Sequence, residues 1–210
     1  MKFQNLGWIV AAGLGAALFA GGFDNPPNKV GVVDMRSVFQ RSDYFQQKQA
    51  DLKAMEDSRG DLLDFIKTYQ TITGDQANTL KTLSLKTTLT PAEKTQLDKL
   101  KADVQAQDQS FNTLNTKLNP APDEVKKLSD FNNQRQQTAN LYATWQREFQ
   151  GDLKEQRDMF QQEVLDRVTS AVQEYAKKQN YTLVFANDVA PFGANDVTPD
   201  TLKVMNAKKQ

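Results

Sequence analysis

The spacing of apolar residues changes along the chain, and each change marks an element. Trp8 to Ala20 is a continuous apolar run. Val30-Gly31-Val32-Val33 is short and β-branched, and predicts a strand too brief to stand alone. From about Met35 the period becomes helical. Val38, Phe45, Leu52 and Ile66 keep a seven-residue spacing interrupted by Arg59, and Met55, Leu62 and Tyr69 fill the complementary positions. This is a coiled-coil seam. The helix is expected to end near Thr73-Gly74, with Gly74 as its C-cap.

Residues 75–89 read as a short helix with a loop. Thr90-Pro91-Ala92-Glu93 is a helix start, with Thr as N-cap, Pro at N1 and Glu at N3. Behind it Leu97, Leu100, Val104, Phe111, Leu114 and Leu118 fit a heptad with one polar position, Gln107. Asn119-Pro120-Ala121-Pro122 breaks that helix. Asp123-Glu124 opens a long one expected to reach about Gln179, with Lys177-Lys178 suited to its C-terminal dipole. Its repeat is different: Tyr142, Leu153, Val164 and Tyr175 lie eleven apart, as do Phe149, Phe160 and Ala171. An eleven-residue repeat gives a nearly straight or slightly right-handed seam, read here as helix–helix core. Tyr181 to Ala186 is a second strand, Asn187-Asp188 a turn, and Val189 to Phe192 a candidate edge strand, since Pro191 argues against a central place. Thr198-Pro199-Asp200 caps a last short helix running through Met205.

The order is therefore strand, long helix, elaboration, long helix, strands, short helix. That predicts a mainly α fold with a small β body. Residues 23–34 and 181–210 form the body, 35–72 and 144–180 a coiled-coil hairpin, and 73–143 a helical tip. A few short strands have almost no core of their own. The simplest remedy is an oligomer in which strands of several chains share one core. Val30, Val32, Leu183 and Phe185 alternate along their strands and are the expected interface. Gly60 and Gly151 fall mid-helix at nearly one height of the hairpin and are hinge candidates. The plainer alternatives are surface glycines or close helix contact.

Composition narrows the chemistry. The 210 residues are 39% hydrophobic and 25% charged, too polar for a polytopic membrane protein. Lys+Arg and Asp+Glu are both 26, so a neutral chain gives no general reason to expect nucleic acid or an anionic surface as partner. Cys and His are both 0, which removes thiol nucleophiles, disulfides, the commonest general base and the commonest zinc ligand. No phosphate-binding loop, dinucleotide fingerprint or metal-spaced cluster is present. No catalytic residue, metal or cofactor is expected. Charged residues such as Asp51, Lys53, Glu56 and Asp57 read as a solvated helix face, and Asp123-Glu124 as helix-start charges. Residues 1–22 pair Lys2 with the apolar run and end in Ala20-Gly21-Gly22, the pattern of a cleaved secretory leader, with an uncleaved anchor as the alternative.

Two segments carry a resemblance. One is Lys29-Val30-Gly31-Val32-Val33-Asp34-Met35-Arg36-Ser37-Val38-Phe39-Gln40. The other is Leu183-Val184-Phe185-Ala186-Asn187-Asp188-Val189-Ala190-Pro191-Phe192, followed by Asp196-Val197-Thr198 and a short helix. Around a helical hairpin, and behind an export leader, they resemble the two ends of the Skp/OmpH-like periplasmic chaperones. The resemblance implies a homotrimer whose small β-barrel carries helical tentacles around a cavity. Unfolded outer-membrane proteins would be held there without ATP, with no catalytic residues, and membrane contact would be at most peripheral. Two features depart from the family. The familiar member is strongly basic and this chain is neutral, and residues 73–143 exceed what a simple hairpin needs. The rival reading is a trimeric coiled-coil spacer or tether of the cell envelope.

Overall fold

A computed structural model describes residues 29–190 and 195–207. Residues 1–22, the expected export leader, and Pro191 and Phe192 of the expected edge strand lie outside them. The elements are β1 (Val30–Val33), α1 (Met35–Arg41), α2 (Asp43–Thr68), α3 (Gly74–Ser84), α4 (Pro91–Asn115), α5 (Pro122–Lys178), β2 (Leu183–Ala186) and α6 (Thr198–Ala207). The expected mainly α fold with a small β part is the observed one. The chain forms two compact units: one from the described residues up to Gln49 and from Met159 on, the other from Ala50 to Asp158.

In the first unit β1 and β2 pair in parallel, with Val30 opposite Leu183 and Val32 opposite Phe185. One face of this sheet packs on a core of Val33, Val38, Tyr44, Val164, Val168, Ala171, Val197 and Met205, with Val184 and Tyr181 against it. Gly31 fits closely there. A Cβ at that position would stand 3.0 Å from both Tyr181 Cε1 and Val197 Cγ1. α5 ends at Lys178, and beyond it Asn180 takes the left-handed conformation (φ 55°), while the Tyr181 N–H bonds back to the Ala176 carbonyl at 2.9 Å. That is the Schellman ending of a helix.

The first helix is not continuous. Ser42 is fully buried, and its hydroxyl donates to the Phe39 carbonyl and accepts the Phe45 N–H. This local bonding competes with the helical ladder and separates α1 from α2. The expected edge strand is also absent where it is described. Asn187 to Val189 turn instead, with the Val189 and Ala190 N–H groups both on the Ala186 carbonyl. The third neighbour in the sheet is Asp196, which bridges Val32 in parallel.

In the second unit Leu62, Ile66, Ile72, Ala77, Leu80, Leu83, Leu97, Val104, Trp145 and Phe149 form one core. It takes side chains from α2, α3, α4 and α5, so the expected tip boundaries at 72/73 and 143/144 fall inside it. Gly74 does not cap the preceding helix. The chain leaves the helix at Thr68, and Thr73 and Gln76 form a reciprocal capping box that starts α3. The Thr90–Glu93 box and Pro91 start α4 as expected. Leu118 is not part of the seam. α4 ends at Asn115, leaving this side chain 95% exposed in the following loop.

Candidate interaction surface

Parallel pairing in this register sets Val30, Val32, Leu183 and Phe185 on one face of the sheet, opposite the face that carries Val33 and Val184 into the core. Val32 is buried (8%), Val30 and Leu183 are half-buried, and Phe185 is 37% exposed. Val189, on the turn after β2, is 54% exposed. The sheet is two strands wide, with Asp196 on the outer side of β1. Among the described residues, β2 has no strand on its other edge. An apolar face beside an open edge is the kind of surface that another chain completes.

The face is held firmly from behind. Asp34 caps α1 by accepting the Ser37 N–H at 2.9 Å, and its own N–H donates to the Thr198 hydroxyl at 2.8 Å. Thr198 therefore ties the start of α6 to the end of β1, and Asp196 takes the capping task by accepting the Thr198 N–H at 2.9 Å. Tyr175 on α5 donates to Asp200 on α6 at 2.9 Å. Burial first, and then the Asp200 carboxylate, push the Tyr175 phenol up to about 12, so it stays a neutral donor at physiological pH. Phe39, Phe45 and Phe160 cluster where α1, α2 and α5 meet, with centroids 4.3 to 6.2 Å apart and Phe45 stacked on Phe160.

The hinge candidates lie in the second unit. Gly60 and Gly151 are exposed and interior to α2 and α5, and a Cβ at either would meet nothing within 4 Å. Close helix contact therefore does not explain them. Their neighbours Arg59 and Asp152 form an ion pair at 3.3 Å, so the two glycines stand level with one another. Arg59, the interruption in the heptad, lays its guanidinium over the Phe149 ring at 5.4 Å. Its stem and charge fill a seam position that an apolar residue would otherwise take.

Asp123 and Glu124 sit in the first turn of α5, and Glu124 accepts the Ala121 N–H at 2.8 Å while pairing with Lys117. The described residues contain no group of acidic side chains fit to hold a metal ion. The Ser42 break and the Thr198 tie were missed from sequence. Each had a local sign: a Ser beside Asp43 at a seam edge, and a Thr two residues after Asp196.

A family model described as Outer membrane protein (OmpH-like) matches residues 29–205. The chain belongs to the OmpH-like family. The match runs from the first residue of β1's approach to the end of the core of α6, and so takes in the sheet, both long helices and the elaboration between them. The family is one of chaperone-like, envelope-associated proteins concerned with outer membrane proteins, and it is not enzymatic. A comparison with curated proteins returned no match. Among the described residues no helix is long and apolar enough to cross a membrane.

Proposed function

We propose that this OmpH-like protein is an ATP-independent holding chaperone that binds unfolded outer-membrane β-barrel proteins in the periplasm and keeps them from aggregating. As the resemblance to Skp/OmpH-like chaperones implies, it acts as a homotrimer, with helical arms around a shared cavity. The observation that carries the reading is the OmpH-like match across 29–205, joined to an apolar sheet face on which Phe185 is 37% exposed beside an edge of β2 that is unpaired among the described residues. Val30, Val32, Leu183 and Phe185 are the proposed contacts between copies, and three copies of each would close one core. A leader at residues 1–22 delivers the chain to the periplasm and is removed. Gly60 and Gly151 act as a paired hinge that lets the arms admit clients of different size.

The neutral charge supports capture through apolar contact and shape, since long-range attraction to acidic clients or anionic lipid needs net positive charge. The test is direct. The purified chain from Phe23 on, without nucleotide, is expected to suppress light scattering when a denatured outer-membrane β-barrel protein is diluted into buffer. An envelope spacer would leave the scattering unchanged.

A further inference from the structure

The run of buried apolar side chains along α4 and α5 is interrupted. Val104 is fully buried and belongs to the main core of the second unit. Farther along, Phe111 and Phe131 are buried and meet edge to face, with centroids 6.0 Å apart, but stand outside that core. Between the two lies a band of amides and hydroxyls. The helices run antiparallel here: Lys127 Nζ donates to Ser110 Oγ at 3.2 Å, and the Arg135 guanidinium lies over the Phe111 ring at 4.5 Å. That pairing brings Gln107 on α4 level with Gln134 on α5. The Oε1 atom of each is buried and has no hydrogen-bond partner among the described residues. Thr71 Oγ1, between α2 and α3, is in the same state. Beside them Arg135 donates to Gln70 Oε1 at 3.1 Å, and Gln105 Nε2 to the Tyr69 hydroxyl at 3.3 Å.

Burying an acceptor without a partner is costly, and exposing it to water removes that cost. Separation at the glutamine level therefore recovers hydration that offsets part of the lost Phe111–Phe131 contact. Separation at Val104 recovers nothing comparable. We infer that residues 108–131, the far end of the α4–α5 hairpin, open and close as an arm of their own, parting at the Gln107–Gln134 layer while the core around Val104 and Trp145 stays folded. Opening adds Phe111 and Phe131 to Leu118 and Val125, which are already 95% and 52% exposed, and so enlarges the apolar surface this unit shows to solvent.

Hydrogen–deuterium exchange on the whole protein, read by mass spectrometry, tests this. Protection factors in 108–131 are expected to be at least about tenfold lower than in 91–104 and 139–150. The double variant Gln107→Leu, Gln134→Leu replaces both amides, whose Oε1 atoms are the unpaired acceptors, by apolar groups of similar size. It should raise protection in 108–131 about tenfold and leave residues 30–49 unchanged. Equal protection from 91 to 150 in the unmodified protein would overturn the inference. So would a folded double variant with unaltered exchange in 108–131. Should the double variant not fold, the exchange pattern of the unmodified protein decides alone.

Discussion

Gly31 sits where β1 crosses the Tyr181 ring, and its missing side chain is what allows the sheet to approach α5's end. A methyl group there would press on an aromatic ring and a core valine at 3.0 Å, and neither is a loose chain end. Gly31→Ala is expected to lower stability by about 1–3 kcal/mol, read by thermal or chemical denaturation. At the start of α4, the Glu93 carboxylate is held to about 2 from its ordinary 4.5, first by Lys86 and then by the Thr90 amide and hydroxyl. A lowered folded value means the contribution is complete above the ordinary carboxylate range and is lost as pH falls through about 2. Thermal midpoints measured from about pH 6 down to about pH 2 should therefore fall more steeply for the natural protein than for Glu93→Gln, which cannot titrate. Parallel curves for the two proteins would show that Glu93 is unperturbed.

Among elements, the two mid-helix glycines make the clearest prediction. With nothing within 4 Å of either Cβ, Gly60→Ala and Gly151→Ala should each stabilise the protein by about 0.5–1 kcal/mol. If the pair is a hinge, the double variant also narrows the size distribution in solution scattering and binds large clients less well than small ones. A more stable variant with unchanged scattering and client range leaves them ordinary surface glycines. Trp145 reports on the core beside them in the chain from Phe23 on, because the other tryptophan is Trp8. Leu80→Ala should cost about 2–5 kcal/mol in denaturant unfolding followed by Trp145 fluorescence, since Leu80 is fully buried in the same core.

These elements differed in how far the sequence revealed them. Both strands, the α4 start and the end of the long helix follow from patterns that act over a few residues: β-branching, a Thr-Pro-x-Glu cap, a lysine pair. The eleven-residue repeat of α5 is legible for the same reason. Tyr142, Phe149, Leu153, Phe160, Val164, Ala171 and Tyr175 are all buried or half-buried. Gly74 misled because a glycine between two helices serves either as the end of one or the start of the next. Only the bonded Thr73–Gln76 box decides between them. The Ser42 break was hidden because a heptad can run on in register through a cap. The single core shared by α2, α3, α4 and α5 depends on contacts distant in sequence, which periodicity does not encode. Alternation on the strands was enough to place Val30, Val32, Leu183 and Phe185 on one face of the sheet, while the tie through Thr198 to Asp34 joins residues 164 apart and needed coordinates.

For the whole molecule, the account rests on strands that find their partners in other copies. One face of the two-stranded sheet is covered by the helices of its own unit, while the other leaves Phe185 37% exposed beside an edge of β2 that is unpaired among the described residues. Phe185→Asp places a charge in three equivalent positions of the proposed interface, so it should convert the trimer to monomer, with α3 and α4 still helical by circular dichroism. A variant that sediments as an intact trimer would move the interface elsewhere.

The most direct measurement is the native mass of the chain from Phe23 on, alone and after mixing with a denatured outer-membrane β-barrel protein in the absence of nucleotide. The account predicts three copies alone and three copies holding one client in the mixture. A monomer, or a trimer whose mass is unchanged while the client precipitates, would contradict it.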